Sequence, residues 1–409
     1  MFLLQALGSN GSGQLGLGHQ DDVSTPQPVT LPSSLTTAGI KPTQIAAGGN
    51  HTLLLLSSGT LLSAGDTASG ACGRLLPPSS SPTTVSPSFH PVDLPSPLFL
   101  TDGDGGGGGD TKITHIAATW EASVLVVTTT TSSTTGSNTS STTSNTTTTS
   151  INPPTKTSKV YTFGTGSKGE LGLGPGTPHT STPTAIPNFP PAGTHVVDLA
   201  ACMGHAVAVL SNGEAWGWGS GRKGQLGTLP APAGATGGVV WAPRRIEGVG
   251  FAVARAVCGR EFTCLFGGRE TGEMVVLGSD KWGVRTRAPA AGVLAGWREV
   301  GAGWGSVFVL RADGRLVSWG RDDHGQMAPE DLGPVRRVAV GSEHALALTE
   351  AGDVVAWGWG EHGNCGPIRQ CEGEKGQRNR IAAAGEGTEI TMIGAGCATT
   401  WLVTEGESA

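Results

Sequence analysis

The chain has 409 residues, of which 66 are Gly and 26 Pro; 14% are charged and the net charge is −6. Turns dominate such a composition and long helices have little room in it. An acidic balance without a basic tract argues against general affinity for nucleic acid or an anionic membrane surface. No run approaches the roughly 18 apolar residues of a membrane span. The seven cysteines are odd in number, contain no C-x-x-C pair, and read as reduced thiols of a cytoplasmic or nuclear protein.

The chain opens on MFLLQALGSN, whose apolar run is short and lacks a basic flank, so a signal peptide is not expected. GSGQLG, from Gly11 to Gly16, has the G-x-G-x-x-G spacing of a dinucleotide loop. Such a loop follows a strand, opens a helix and finds an acidic residue about 20 positions on. Here LGLGHQDDVSTPQPVTLP follows without a helical period, and Asp21 and Asp22 arrive too early.

Further along, the same spacing recurs as GTGSKG at Gly164, GSGRKG at Gly219 and GWGEHG at Gly358. Four dinucleotide sites in one chain is implausible, and a structural repeat is the better reading. Each unit has two halves. The first is strand, tight turn, strand: IAAGGNHTLLLL (45–56), IAATWEASVLVV (116–127), LAACMGHAVAVL (199–210), AVCGREFTCLFG (256–267), VGAGWGSVFVLR (300–311), VAVGSEHALALT (338–349) and IGAGCATTWLVT (393–404). The second is turn, strand, glycine loop: LLSAGDTASGACG (61–73), VYTFGTGSKGELG (160–172), SNGEAWGWGSGRKGQLG (211–227), VVLGSDKWGVR (275–285), ADGRLVSWGRDDHGQMA (312–328) and EAGDVVAWGWGEHGNCG (350–366).

Seven first halves thus have six second halves downstream. The seventh is the N-terminal LQALGSNGSGQLG, residues 4–16. A repeat that begins with the end of a unit and stops with its start is what ring closure requires. The expected fold is all-β: one seven-bladed β-propeller over residues 1–409, closed by the N-terminal strand joining the C-terminal blade. The blades are expected to hold a few strands of about four residues each.

Between the units, residues 74–112, with their Pro/Ser runs and DGDGGGGGD, read as a flexible insertion. DGDGGGGGD lacks the terminal Glu and the spacing of a calcium loop. Residues 129–155, almost pure Ser, Thr and Asn, read as a disordered replacement of a tight turn in blade 2. Segments 228–242 and 367–390 read as linker and loop, and the pairs Arg244-Arg245 and Arg336-Arg337 as solvated surface.

The unit resembles the repeat of the regulator of chromosome condensation family. That pattern runs apolar-A-x-G-x-x-H, then D-G, then W-G-x-N-x-x-G-Q-L-G. The match is best at Gly48 to His51, Gly8 to Gly16, Trp218 to Gly227 and Gly341 to His344. LGSNGSGQLGLGHQDDVSTP and GWGEHGNCG look like the fungal α-tubulin suppressor branch, with secretion-regulating exchange-factor relatives close by. The resemblance implies a partner: a small zinc-binding protein that carries electrons for diphthamide synthesis and supports Elongator-dependent modification of wobble uridines in transfer RNA. It also keeps open a guanine-nucleotide exchange factor acting on a small GTPase. For that activity the sequence offers acidic RDDHG but no clear wedge, and no basic N-terminal tail for chromatin.

Catalysis has no anchor. His51, His205 and His344 share one slot in three blades, too far apart to share a metal, and each imidazole is expected to bond a turn backbone within its own blade. Cys365 and Cys371 make a poor zinc pair without two further ligands. No G-x-S-x-G elbow, H-E-x-x-H helix or carboxylate pair stands out. No enzyme activity, cofactor or metal is expected.

Gly8, Gly13, Gly16, Gly48, Gly219 and Gly224 read as backbone framework, and Trp218, Trp319 and Trp357 as blade packing. Trp216 and Trp401 read as core. The first turn and the glycine loop of each blade are expected on one face. On it the turn apices place Trp120, Met203, Arg260 and Trp304. The loops add Arg222, Lys223, Trp282, Asp322, Asp323, His324, Trp359, Glu361 and His362. Aromatic and charged groups mixed in this way have the composition of a protein-interface hot spot.

Overall fold

The computed structural model describes residues 2–32, 35, 39–73, 85–95, 110–132, 134–136, 149–151, 153–228, 238–367 and 378–406. They form a seven-bladed propeller of antiparallel sheets. Blade 1 runs outward through Pro42–Ala47, His51–Leu56, Leu61–Asp66 and Val85–Pro91. Blade 2 has Asp110–Ala118, Ala122–Thr131, Thr155–Thr165 and His179–Ala185; blade 3 has Val196–Cys202, His205–Leu210, Ala215–Ser220 and Val239–Arg245. Blade 4 (Arg255–Cys258, Phe262–Phe266, Met274–Gly278) and blade 5 (Trp297–Ala302, Ser306–Arg311, Leu316–Gly320) hold three strands each, with a short helix, Ala291–Leu294, between them. Blade 6 has Val335–Val340, His344–Thr349, Asp353–Gly358 and Asn379–Ala383.

Blade 7 joins the two ends of the described chain. Thr388–Ala395 and Thr399–Gly406 are its inner strands, while Phe2–Gly8 and Val23–Pro28 complete it. The ring therefore closes with two N-terminal strands rather than one. Phe2–Gly8 pairs with Thr399–Gly406 without a register break, from Phe2 opposite Glu405 to Gly8 opposite Thr399. Inner strands of neighbouring blades touch all the way round, blade 7 to blade 1 included.

One backbone device repeats in every blade. The third strand ends in a glycine with φ between +100 and +119: Gly8, Gly65, Gly164, Gly219, Gly278, Gly320 and Gly358. A side chain at Gly219 would put Cβ 2.4 Å from the Gly204 carbonyl oxygen, so only glycine fits this left-handed bend. The bend lets the next N–H reach the same apex-loop carbonyl position in all seven blades, as in Asp66 N to Asn50 O and Trp359 N to Glu343 O. Apex loop and glycine loop are thereby tied together on one face.

The apolar core lies between blades. Leu4, Ala6 and Leu15 of the N-terminal segment pack with Trp401 of blade 7 and Leu54 and Leu62 of blade 1. The repeat tryptophans bridge blades as well. Buried Trp218, Trp319 and Trp357 donate Nε1–H to Glu170 O, Val284 O and Gln326 O of the preceding glycine loops, at 2.8–3.0 Å. An unpaired buried indole N–H would cost about 1–3 kcal/mol.

The histidines also reach across blades, which corrects the expectation of a bond within each blade. His51 Nε2 lies 2.9 Å from Ser123 Oγ, His205 Nε2 2.9 Å from Thr263 Oγ1, and His344 Nε2 3.0 Å from Thr400 Oγ1. The G-x-x-H spacing has its reason here. A Cβ on Gly48 or Gly341 would stand within 2.4 Å of the histidine Cε1, so the missing side chain makes room for the ring.

Bulges in the inner strands supply further pins. Asp198 Oδ2 accepts Ala256 N at 2.8 Å and Oδ1 pairs with Arg255; Glu299 Oε2 accepts Val338 N at 3.1 Å and Oε1 pairs with Arg337. Arg336 crosses to blade 7, pairing with Glu389 and donating to Ile390 O. Arg336 and Arg337 are thus blade-to-blade links as well as surface residues.

Segments read as insertion, linker or loop contain strand residues, most of them on outer strands. Val85–Pro91 lies within 74–112, Val239 begins a strand within 228–242, and Asn379–Ala383 and Thr388–Ile390 lie within 367–390. In blade 2, Thr129–Thr131 and Thr155 extend paired strands, and Thr134–Gly136 pairs with Thr149–Ile151. Threonine is β-branched, and its hydroxyls pair across strands, as Thr111 with Thr129 at 3.0 Å. The remainder of these segments (74–84, 96–109, 133, 137–148, 152, 229–237 and 368–377, Cys371 included) lies outside the described residues. Described strands run from 3 to 11 residues, longer than the expected four in most blades.

Candidate protein-docking face

The apex loops meet at the mouth of the central channel. Gly49 N donates to Trp120 O, Trp120 N to Met203 O, Arg260 N to Trp304 O, Trp304 N to Ser342 O, and Ser342 N to Gly396 O, all at 2.7–3.1 Å. Met203 holds φ +49 at its apex. The Trp120 and Trp304 rings come from separate parts of the ring and meet with centroids 6.1 Å apart. Trp120 covers Gly49, where a Cβ would come within 2.6 Å of the indole, and Arg260 sits 5.3 Å above Trp304. Both tryptophans are half-buried and roof the channel.

Beside this roof lies a hub that the sequence pattern concealed. Arg321 follows the left-handed glycine of blade 5. Its Nε and Nη2 donate to Asp323 Oδ1 and Oδ2 at 2.6 and 2.9 Å, and Nη1 pairs with Glu343. Its guanidinium lies 4.7 Å from the Trp282 ring and 5.9 Å from the Trp359 ring. Gln326 Nε2 donates to both carboxylates at 3.0 Å. Hydrogen bonds from Arg321 hold the Asp323 carboxyl well below its ordinary range. Trp359 in turn lies flat on the His324 imidazole, centroids 4.1 Å apart and planes 2° from parallel.

The predicted residues thus separate into groups. Trp359 is 37% exposed, and Glu361 is exposed beside it. His362 is exposed but tied to Asp22 Oδ2 at 2.9 Å, and Asp22 Oδ1 accepts Asn10 N. Asp322 turns inward: its Oδ1 accepts Met327 N at 3.1 Å, as Asn10 Oδ1 accepts Leu15 N in blade 7. Asp322 therefore shapes its loop. Asp323 is engaged by Arg321 and is not a free acid.

Beside the channel mouth, further hollows open on this face among the described residues. One, of about 740 Å³, lies between blades 2 and 4 and is lined by Glu170, Met203, Arg222, Lys223 and Arg260 among others. The second, of about 400 Å³, holds Lys281, Trp282, Trp304, Arg321 and Glu343. Arg260 and Glu261 line both. Arg321, Glu343 and Glu170 escaped the sequence reading. The available signals were an acid at the third apex position and a Glu where other loops carry Gln. Among the described residues no group of three or more His, Cys, Asp or Glu is placed to hold a metal ion.

The repeat geometry agrees with comparison to known proteins. Models of the regulator of chromosome condensation (RCC1) repeat match residues 6–55, 158–209 and 212–266 in one form, and 43–71, 297–326 and 335–364 in another. Together they cover more than half of the chain. The chain belongs to the RCC1 repeat family.

Within the RCC1 repeat family, the chain is 27% identical to the RCC1 repeat-containing protein C10F6.04 of Schizosaccharomyces pombe, over 84% of this chain and 83% of that protein. It is 25% identical to the secretion-regulating guanine nucleotide exchange factor of Bos taurus, over 79% of this chain and 61% of that protein. Among solved structures, Prp20p of Saccharomyces cerevisiae, described with its binding properties to Gsp1p and histones, superposes with a TM-score of 0.73. Its identity is 20%, covering 100% of this chain and 92% of Prp20p. The RCC1-type propeller is a scaffold for protein interaction, and its relatives include exchange factors. No helix of the described residues is long and apolar enough to cross a membrane.

Proposed function

We propose that this chain is a non-enzymatic protein-binding propeller that pairs with a small zinc-binding electron-carrier protein of diphthamide synthesis and Elongator-dependent wobble-uridine modification. The partner docks on the glycine-loop face at blades 5 and 6. The exposed Trp359, pre-set by its stack on His324, is the observation that supports this placement. A large ring held in one orientation loses little entropy on binding and suits a hot spot. The electron-carrying metal belongs to the partner. The identity of the partner rests on the resemblance of LGSNGSGQLGLGHQDDVSTP and GWGEHGNCG to the α-tubulin suppressor branch.

The test is affinity capture from the native cell, followed by measured affinity for the captured zinc protein. Substituting Trp359→Ala and Glu361→Ala together is expected to weaken binding at least tenfold. Unchanged affinity overturns the placement, and absence of a zinc protein from the captured set overturns the partner.

A second reading, guanine-nucleotide exchange on a small GTPase, is favoured by the relatives named as exchange factors. The inward turn of Asp322 and the engagement of Asp323 by Arg321 leave little free acid in the blade 5 loop for that task. Accelerated nucleotide release from a Ran-type GTPase would favour exchange.

A further inference from the structure

The glycine loops share a side-chain device that makes one of them stand out. Gln14, Gln225 and Gln326 each turn Oε1 back to accept the N–H two residues earlier, from Ser12, Lys223 and His324, at 2.9 Å. In blade 2 that slot holds Glu170, whose Oε2 accepts Lys168 N at 2.7 Å. The loop needs only the accepting oxygen. A neutral amide supplies it in three blades, so the negative charge of Glu170 is surplus to the turn.

That charge is placed at a cost. Glu170 is 8% exposed, and burial raises its carboxyl above the ordinary carboxylate range. Its carboxyl takes hydrogen bonds from the backbone N–H groups of Lys168 and of Glu170 itself, and Oε1 lies 3.5 Å from where a Cβ of Gly204 would stand, beside the 740 Å³ cleft that both residues line. Gly204 lacks that Cβ, so the approach stays open. Glu121 adds a second negative charge nearby, and Lys168 offsets part of it. On the rim, Lys168, Arg222 and Lys223 are exposed and form no ion pair with a described carboxylate.

We infer that the cleft between blades 2 and 4 is a peptide-binding site that takes one Arg or Lys side chain on Glu170, with acidic residues flanking it against Lys168, Arg222 and Lys223. A buried carboxylate held only by backbone N–H groups gains most from a cation that brings its own hydrogen-bond donors. Exposed lysines and arginines at the mouth would repel a wholly basic segment and accept carboxylates on either side of the anchor. The site deepens the reading of this face as a docking surface and rests on it. It lies on blades 2 to 4, apart from Trp359 and Glu361.

The experiment uses the full chain and the probe acetyl-Asp-Asp-Arg-Asp-Asp-amide, followed by calorimetry at low salt. Binding to the unaltered protein is expected, with at least tenfold loss in Glu170→Gln. Gln is already the residue of this slot in three blades, so the variant keeps the loop and loses only the charge. Replacing the probe's Arg by Ala is expected to cost as much, and Arg222→Ala with Lys223→Ala to weaken binding severalfold. No binding of the Arg probe at millimolar concentration, equal affinity of Glu170→Gln, or equal affinity of the Ala probe each overturns the site. If Glu170→Gln fails to fold, the slot argument falls and the two-probe comparison on the unaltered protein decides. Retained loss of partner capture in Trp359→Ala/Glu361→Ala alongside failed probe binding removes the cleft alone. Probe binding with unchanged capture in that variant removes the blade 5 and 6 placement alone.

Discussion

His344 and Thr400 join blades 6 and 7 through a directed hydrogen bond. The Thr400 hydroxyl donates to Asn364 O at 2.9 Å, so it must accept at its other side, and His344 Nε2 carries the proton. The ring is then neutral, with Nδ1 buried and without a hydrogen-bond partner. Burial holds His344, like His51 and His205, down to about 4 from the ordinary 6.5.

Acid should therefore loosen the ring. Between pH 6.5 and 4 the unfolded chain binds protons that the folded imidazoles refuse, so the stability present above 6.5 is lost as pH falls through this window. Each histidine contributes about 2 kcal/mol of that loss by pH 5 and about 3 by pH 4. Urea midpoints at pH 7.5, 6 and 5 measure it. His344→Asn is expected to lower stability at pH 7.5 but to flatten the fall towards pH 5. An unchanged slope in that variant would remove His344 from the account.

The left-handed glycines give a second expectation. Gly219→Ala adds a Cβ 2.4 Å from the Gly204 carbonyl oxygen at φ +100, where backbone rather than a flexible side chain must yield. A loss of about 2–4 kcal/mol is expected, from strain and the broken tie to the apex loop. Gly176→Ala, with nothing within 4 Å of the new Cβ, is expected to change stability by less than about 1 kcal/mol. Thermal melts of the two variants side by side check the contrast.

Much of this architecture was legible because it recurs along the chain. The glycine spacing, the seven first halves and the N-terminal second half specify the ring on their own. The outer strands were not legible: VSPSFHP (Val85–Pro91) and VSTPQP (Val23–Pro28) carry prolines and half-exposed residues. Edge strands are often disguised in this way: the first fell inside a segment read as an insertion, and the second carried no strand pattern. The histidine partners, Ser123, Thr263 and Thr400, lie 56–72 positions away on the next blade, beyond any local pattern. Trp120 and Trp304 were visible as unusual apex residues, but only the ring's curvature turns them toward each other. Arg321 is a single charge in a variable loop, with no period to mark it, and the acid slot that Glu343 shares with Glu121 and Glu261 does not say which cation it meets.

The Arg321 hub yields a coupling prediction. The side chains of Arg321 and Glu343 are 16% and 9% exposed, so removing the cation strands a buried carboxylate. Arg321→Met is expected to cost about 3 kcal/mol. Glu343→Gln added to it should restore part of that loss, with a coupling energy of about 1–3 kcal/mol in a double-mutant cycle. Strict additivity of the two variants would mean that the pair contributes nothing to the loop.

Ring closure makes the strongest prediction. Deleting residues 1–16 removes Phe2–Gly8 and Leu15, exposes Trp401 and Leu54, and leaves the second strand of blade 7 as an unpaired edge. The truncated chain is expected to lose cooperative unfolding altogether, and retention of full thermal stability would refute the closure. A circular permutant separates lost contacts from a lost covalent start. Phe2 already lies opposite Glu405, and joining Ala409 to Met1 supplies four connecting residues, 407–409 and 1. The corresponding turn of blade 1, Ser57–Thr60, is also four residues long. With new termini opened between residues 32 and 39, the permutant is expected to melt within a few degrees of the native chain. Failure of the permutant to fold would mean that the strand order, and not only its contacts, is needed to assemble the ring.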